Sequence, residues 1–189
     1  MPAYRMFQAT LSRLTPRIGL IESAVLAALL VLSCAGCAKL TAAHLALKPW
    51  QDGGSQSLTA KFMQFDFQTL SNDDKYEVKG TAFTIPENLP FWVDSVDNLS
   101  ITAYLCDEHG NVLAHDAKNY PSQKITATGF AFDLLLKYSK NRPSGGCYVA
   151  FGYRGMFSAS RPPAVGDQGG GDLAENYVFF VSEQAALTK

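Results

Sequence analysis

The clearest pattern in the chain runs from Gly129 to Tyr138. Phe130, Phe132, Leu134, Leu136 and Tyr138 alternate there with Gly129, Ala131, Asp133, Leu135 and Lys137. Successive side chains of a strand point to opposite faces, so period two predicts a strand with one face in a core. The same rule places a first strand over Thr59–Leu70, with Met63, Phe65 and Phe67 on one face and Gln64, Asp66 and Gln68 on the other. Tyr76–Ile85 reads as the second. Tyr76 and Val78 share one phase and Phe83 and Ile85 the other, with Gly80 between them, where a bulge would change the phase. Leu99–Cys106 follows, with Leu99, Ile101, Ala103 and Leu105 inward, then the turn Asp107–Asn111 and a short return over Val112–Ala114. A strand within Ile125–Tyr138, the strand Cys147–Phe157 and the strand Tyr177–Ser182 complete the set. Ser71–Asp74, the loop between Pro86 and Pro90, and Asn141–Gly146 punctuate these strands. A Pro- and Gly-rich loop, 158–172, precedes the last strand, and the tail 184–189 reads as loose.

About seven short strands, turn signals between them and no amphipathic helix of useful length predict an all-β fold. The expected form is an antiparallel, immunoglobulin-like β-sandwich over residues 58–183. In that topology the Leu99–Cys106 and Cys147–Phe157 strands are antiparallel neighbours.

Upstream the pattern changes. Arg5, Arg13 and Arg17 precede an uncharged apolar run, Ala24–Leu32, which is followed by small residues. This is the build of a secretory signal, and the run falls short of the ~20 residues that span a bilayer. Extending it back to Ile18 meets Glu22, a charge costly at the membrane centre. The signal ends in Ala35-Gly36-Cys37, which resembles the lipobox of bacterial lipoproteins. That resemblance implies cleavage after residue 36 and acylation of Cys37. Cys34, after Val31-Leu32-Ser33, is the alternative acceptor. The residue after the cysteine is Ala38 or Ala35, not Asp, which implies the periplasmic face of the outer membrane in a double-membraned bacterium. The membrane is then a partner through the lipid. Residues 37–57, with Pro49 and Gly53-Gly54-Ser55, read as a lipidated N-terminus and flexible tether. Such a tether reaches about 25 Å.

Composition narrows the function classes. Removing residues 1–36, which carry three Arg and one Glu, leaves 153 residues and takes the net charge from −1 to −3. That length suits one domain. Mild acidity leaves no electrostatic footprint for nucleic acid. Cys106 and Cys147 remain beyond the signal, and export to an oxidising compartment suggests a disulfide between them. Two free buried thiols or half of a metal site are the alternatives.

Candidate chemistry is sparse. His109 and His115, near Asp107 and Asp116, match no familiar metal-ligand spacing and read as a solvated turn. Gly169-Gly170-Gly171-Asp172 has no following helix to make a phosphate cradle. Adjacent Asp73 and Asp74 have no enforced geometry for acid–base work, and no Gly-x-Ser-x-Gly elbow occurs. The expectation is a non-enzyme without metal or cofactor. Phe91 and Trp92, beside Pro90, read either as a core plug or as an exposed anchor for a partner. Arg161 lies in the 158–172 loop, which is long enough to be functional.

The strand order also carries a family resemblance between Tyr76 and Gly155. Val78-Lys79-Gly80-Thr81, LSITAYLCDEHGNVLA, FAFDLLLKY and CYVAFGYRG together resemble the small β-sandwich lipoproteins related to type III secretion pilotins, the YbaY-like family. The resemblance implies a lipid-anchored, non-enzymatic protein that binds another envelope protein or assists its assembly. The cysteine pair, the strand before Tyr76 and the long loop after Phe157 depart from the family pattern. A sandwich that binds carbohydrate or another envelope ligand through surface aromatics is the alternative.

Overall fold

The computed structural model describes residues 39–139, 145–160 and 177–188. In chain order the strands are β1 (Lys39–Thr41), β2 (Lys48–Pro49), β3 (Ser55–Thr59), β4 (Met63–Asn72), β5 (Lys75–Thr84) and β6 (Ser95–Cys106). They continue with β7 (Val112–Tyr120), β8 (Gln123–Lys124), β9 (Phe130–Lys137), β10 (Tyr148–Ser158), β11 (Val178–Glu183) and β12 (Ala186–Thr188). One sheet has the order β3-β4-β5-β9, the other β11-β10-β6-β7, with β2 beside β10 and β8 beside β6. All strand pairs within the two sheets are antiparallel, and their inner faces share one apolar core, so the fold is the antiparallel β-sandwich read from the pattern.

The inner rows explain the register. On β9, Phe130, Phe132, Leu134 and Leu136 are buried and the residues between them exposed. On β4, Met63, Phe65, Phe67 and Thr69 face in. Phe151 of β10 sits among the rings of both sheets, stacked on Phe65 at 4.5 Å between centroids and edge-on to Phe67 at 4.9 Å. A one-residue slip in any of these strands would turn its whole apolar row to solvent.

Three expectations are corrected by the packing. The first strand, read over Thr59–Leu70, is a hairpin of β3 and β4 that turns at Ala60–Phe62. Gly80 carries no bulge: pairing with β4 and β9 runs through it without a shift, and Tyr76, Val78, Gly80 and Ala82 form one inward row. A Cβ there would run into the Asp66 carbonyl and stand 2.8 Å from the Phe67 Cα, so glycine serves to admit the backbone of β4, with the Phe132 ring next at 2.9 Å. One register shift lies instead on β6, opposite Arg154–Met156, where Asn98 takes φ 53°, and another lies where β7 pairs with Leu105 and Cys106. Asn is among the few residues that adopt this conformation readily.

The tether is the third correction. Residues 39–57 belong to the domain, which runs from Lys39 to Thr188. β1 pairs with β12, so the tail expected to be loose holds the start of the domain in place. Ala42 and Leu45 are buried with Tyr104, Cys106 and Ala150 in a second, smaller apolar cluster. Its strand residues lie on the outer face of the β6–β10 pair, alternating with the inward Ala103, Leu105, Val149 and Phe151. Trp50 is buried in the main core, edge-on to Tyr76 at 5.1 Å, and its backbone N–H donates to the Cys147 carbonyl at 2.9 Å. A short leucine- and alanine-rich stretch running into Pro49 and Gly53-Gly54 looks like linker composition, but here it covers a sheet face.

Candidate functional site

The candidate site is an apolar tip at the end of the sandwich where β6 begins and β10 ends. The β5–β6 connection starts with Pro86, whose fixed φ suits the single 3-10 turn Pro86–Asn88. Leu89 and Val93 pack against the core, and the Val93 N–H closes a turn on the Pro90 carbonyl at 3.0 Å. The residues between them are pushed outward. Phe91 is 96% exposed, and half-buried Trp92 meets Tyr177 edge-on at 5.5 Å. Leu89 and Val93 are therefore the plug, and Phe91 is free to touch a partner.

Asp94 pins this connection to the end of β10. Its carboxylate accepts from the Ser160 hydroxyl, from the Ser160 N–H at 2.6 Å and from the Ser95 hydroxyl at 2.8 Å. Its own N–H donates to the Ser158 carbonyl at 3.1 Å. The Ser160 donors, chiefly the hydroxyl and then the backbone N–H, hold its pKa down to about 2.

The apolar surface continues on the outer face of β10 and β11. Met156 lies opposite Phe180, and Ser158 opposite Val178. Phe180 is 66% and Val178 57% exposed, while Phe179 and Val181, one residue out of phase, face the core. β11 ends the sheet, and among the described residues no strand pairs with its other edge. The far end of β11 is tied down by Glu183, which accepts from the Tyr153 hydroxyl at 2.8 Å. That hydroxyl in turn accepts from the Phe62 N–H at 3.0 Å. Burial, reinforced by Glu183, pushes the Tyr153 phenol well above its ordinary value.

The β3–β4–β5 sheet by itself also carries a shallow open groove of about 650 Å³. Ser55, Ser57, Asp66, Gln68, Lys79 and Phe83 line it, with Gln56. The Gln56 amide is buried and has no hydrogen-bond partner.

Of the residues singled out in the sequence, Phe91 and Trp92 lie at the tip, whereas Arg161, Cys37 and Cys34 lie outside the described residues. The bridge expected between Cys106 and Cys147 is not formed, and both thiols are free and buried. The strands are neighbours as expected, but Cys106 pairs with Tyr148, one residue past Cys147. Alternation then sends Cys106 to the outer cluster and Cys147 to the main core. Burial, with a smaller contribution from Asp107, pushes the Cys106 thiol up to about 12. At the β6–β7 turn, Asp107 is occupied by its own backbone, accepting from His109 N–H and Asn111 N–H at 2.9 Å each. Burial opposes its charge, but these donors and the Asn111 amide outweigh it and hold its pKa below the ordinary value. Among the described residues, no three His, Cys, Asp or Glu side chains converge as a metal site, and no helix is long and apolar enough to cross a membrane.

Sequence reading missed Tyr177, Val178, Phe180 and Met156. Their signal was phase: in YVFFVS, Phe180 falls opposite to Phe179 and Val181, so one large apolar residue had to face outward. Compared with family models, curated proteins and solved structures, the chain matches none.

Proposed function

We propose that this chain is a lipid-anchored, non-enzymatic protein of the bacterial cell envelope. On this reading it sits on the periplasmic face of the outer membrane and binds another envelope protein in a pilotin- or chaperone-like manner. The export signal ending in Ala35-Gly36-Cys37 supports the anchoring. The observation that carries the binding is the set of exposed apolar side chains at this end of the sandwich: Phe91, Phe180 and Val178 stand in solvent, and Trp92 meets Tyr177 edge-on. Aromatic side chains of this kind are the usual anchors of a protein interface, and a free strand edge adds backbone donors and acceptors. Photo-crosslinking from position 91 in intact envelopes tests it. A discrete protein adduct, lost when Phe180→Lys is added to the folded protein, is the expected result. Adducts confined to lipid or glycan would overturn it.

A second reading, binding of carbohydrate or another polar envelope ligand, draws on the polar groove with Phe83 and the unpartnered Gln56 amide. Glycan-array binding abolished by Phe83→Ala and unaffected by Phe91→Asp would favour it over the first.

A further inference from the structure

Loss of the tether has a consequence for how an anchored molecule stands. With the lipid on Cys37, only Ala38 separates the acylated residue from Lys39, the first residue of β1. Consecutive Cα atoms are 3.8 Å apart, so those two residues span at most about 7 Å. β1 is not free to swing. Its residues pair one for one with β12, and Thr41 bridges to Asn111. The Thr41 hydroxyl and the Ala42 N–H both donate to the Gly110 carbonyl, at 3.2 and 2.8 Å. Gly110, at φ 78°, is approached so closely by Ala43 that a Cβ would stand 2.6 Å from the Ala43 Cα. The segment that leads to the anchor is thus clamped to the tip of the β6–β7 hairpin. Phe91 and Trp92 precede the opposite end of β6, a twelve-residue strand. At about 3.3 Å per residue the two ends are about 35 Å apart.

We infer that the domain rests on the bilayer surface through the β1–β12 ribbon and the adjoining hairpin tip, with lipid headgroups as its partner there, and projects the apolar tip about 35 Å away from the membrane. This rests on the lipid-anchored reading above. The chemistry of the ribbon suits headgroups. Residues 39–50 carry Lys39, His44 and Lys48 and no acidic residue, and both lysines are exposed. The His44 Nε2–H donates to the Gln184 carbonyl at 2.8 Å, so the loop after β1 is held to the connection between β11 and β12. Leu187, opposite Leu40, is 72% exposed and offers the apolar contact. The acidic groups at the neighbouring tip are Asp107, committed to its turn, and Glu108, 3.7 Å from His109. Anionic headgroups attract such basic segments within about a Debye length.

The test uses the full chain, lipidated by its host and reconstituted in vesicles of phosphatidylethanolamine and phosphatidylglycerol that contain a headgroup-quenching lipid. A thiol-reactive fluorophore is placed at Leu187→Cys or at Phe91→Cys, two exposed sites, while the buried Cys106 and Cys147 are shielded. Quenching several-fold stronger at position 187 than at position 91 is expected. Equal quenching at both sites, or stronger quenching at 91, in protein whose intact mass shows acylation at Cys37 overturns the orientation alone. Acylation at Cys34 instead overturns the orientation alone, and an intact mass without any acyl group overturns it together with the anchored reading.

Discussion

Asp94 is fully open to solvent, yet three hydrogen bonds give it a folded pKa of about 2 against an ordinary 3.8. The fold favours its ionised form, so its contribution is complete above pH 3.8 and is lost as pH falls through about 2. A carboxyl-carbon NMR titration of the native domain should give a midpoint near 2, and Asp94→Asn should speed exchange of the Ser160 amide at pH 5. A midpoint near 3.8 would mean that the Ser160 contacts do not persist in solution. Screening by water keeps the effect local: the loop end loosens while the sandwich stays folded. Cys106 and Cys147 make the opposite point about single residues. Neighbouring strands do not suffice for a bridge, because one residue of offset along a strand reverses the side chain.

At the scale of elements, the two sheet edges β9 and β11 are handled differently. β9 is guarded by β7 across the gap between sheets. Asp116 accepts from the Leu135 N–H at 2.9 Å, and Lys118 and the Tyr120 hydroxyl donate to the Ala131 carbonyl at 2.9 and 2.8 Å. Side chains thus occupy backbone groups that would otherwise template another strand. Among the described residues β11 shows no such guard, and it carries exposed apolar residues. Asp116→Ala should cost about 0.5–1.5 kcal/mol, the net worth of such a bond. Urea titration would read the cost, and hydrogen exchange should show the Leu135 amide losing protection before its neighbours. An unchanged Leu135 rate would mean that β7 does not guard this edge.

At the scale of the molecule, the domain starts at Lys39 rather than near Leu58. Residues 39–57 supply the first three residues of β3, Trp50, and the Ala42–Leu45 cover over Tyr104 and Cys106. A chain that starts at Lys39 should unfold cooperatively. One that starts at Leu58 should lose more than the ~3–5 kcal/mol of a large aromatic deletion and populate unfolded chain at 25 °C. Calorimetry of the two would check this, and equal melting temperatures would restore the tether. The same start site places β1 and the apolar tip at opposite ends of β6, a relation no single element contains.

Alternation along the chain was enough to determine the all-β class and the inward rows of β4, β6 and β9, and the sandwich topology it implied made β6 and β10 neighbours. Burial on one face of a pleated strand writes itself into every second residue. The tertiary structure alone decided which short segments belong to the domain, since Ala42, Leu45 and Trp50 have no period of their own and matter only for what they cover. It also decided that Cys106 and Cys147 face apart, that Gly80 admits the close-lying backbone of β4, and that Phe180 stays exposed opposite Met156. Each of these depends on the register between strands far apart in sequence, a quantity that local pattern does not encode.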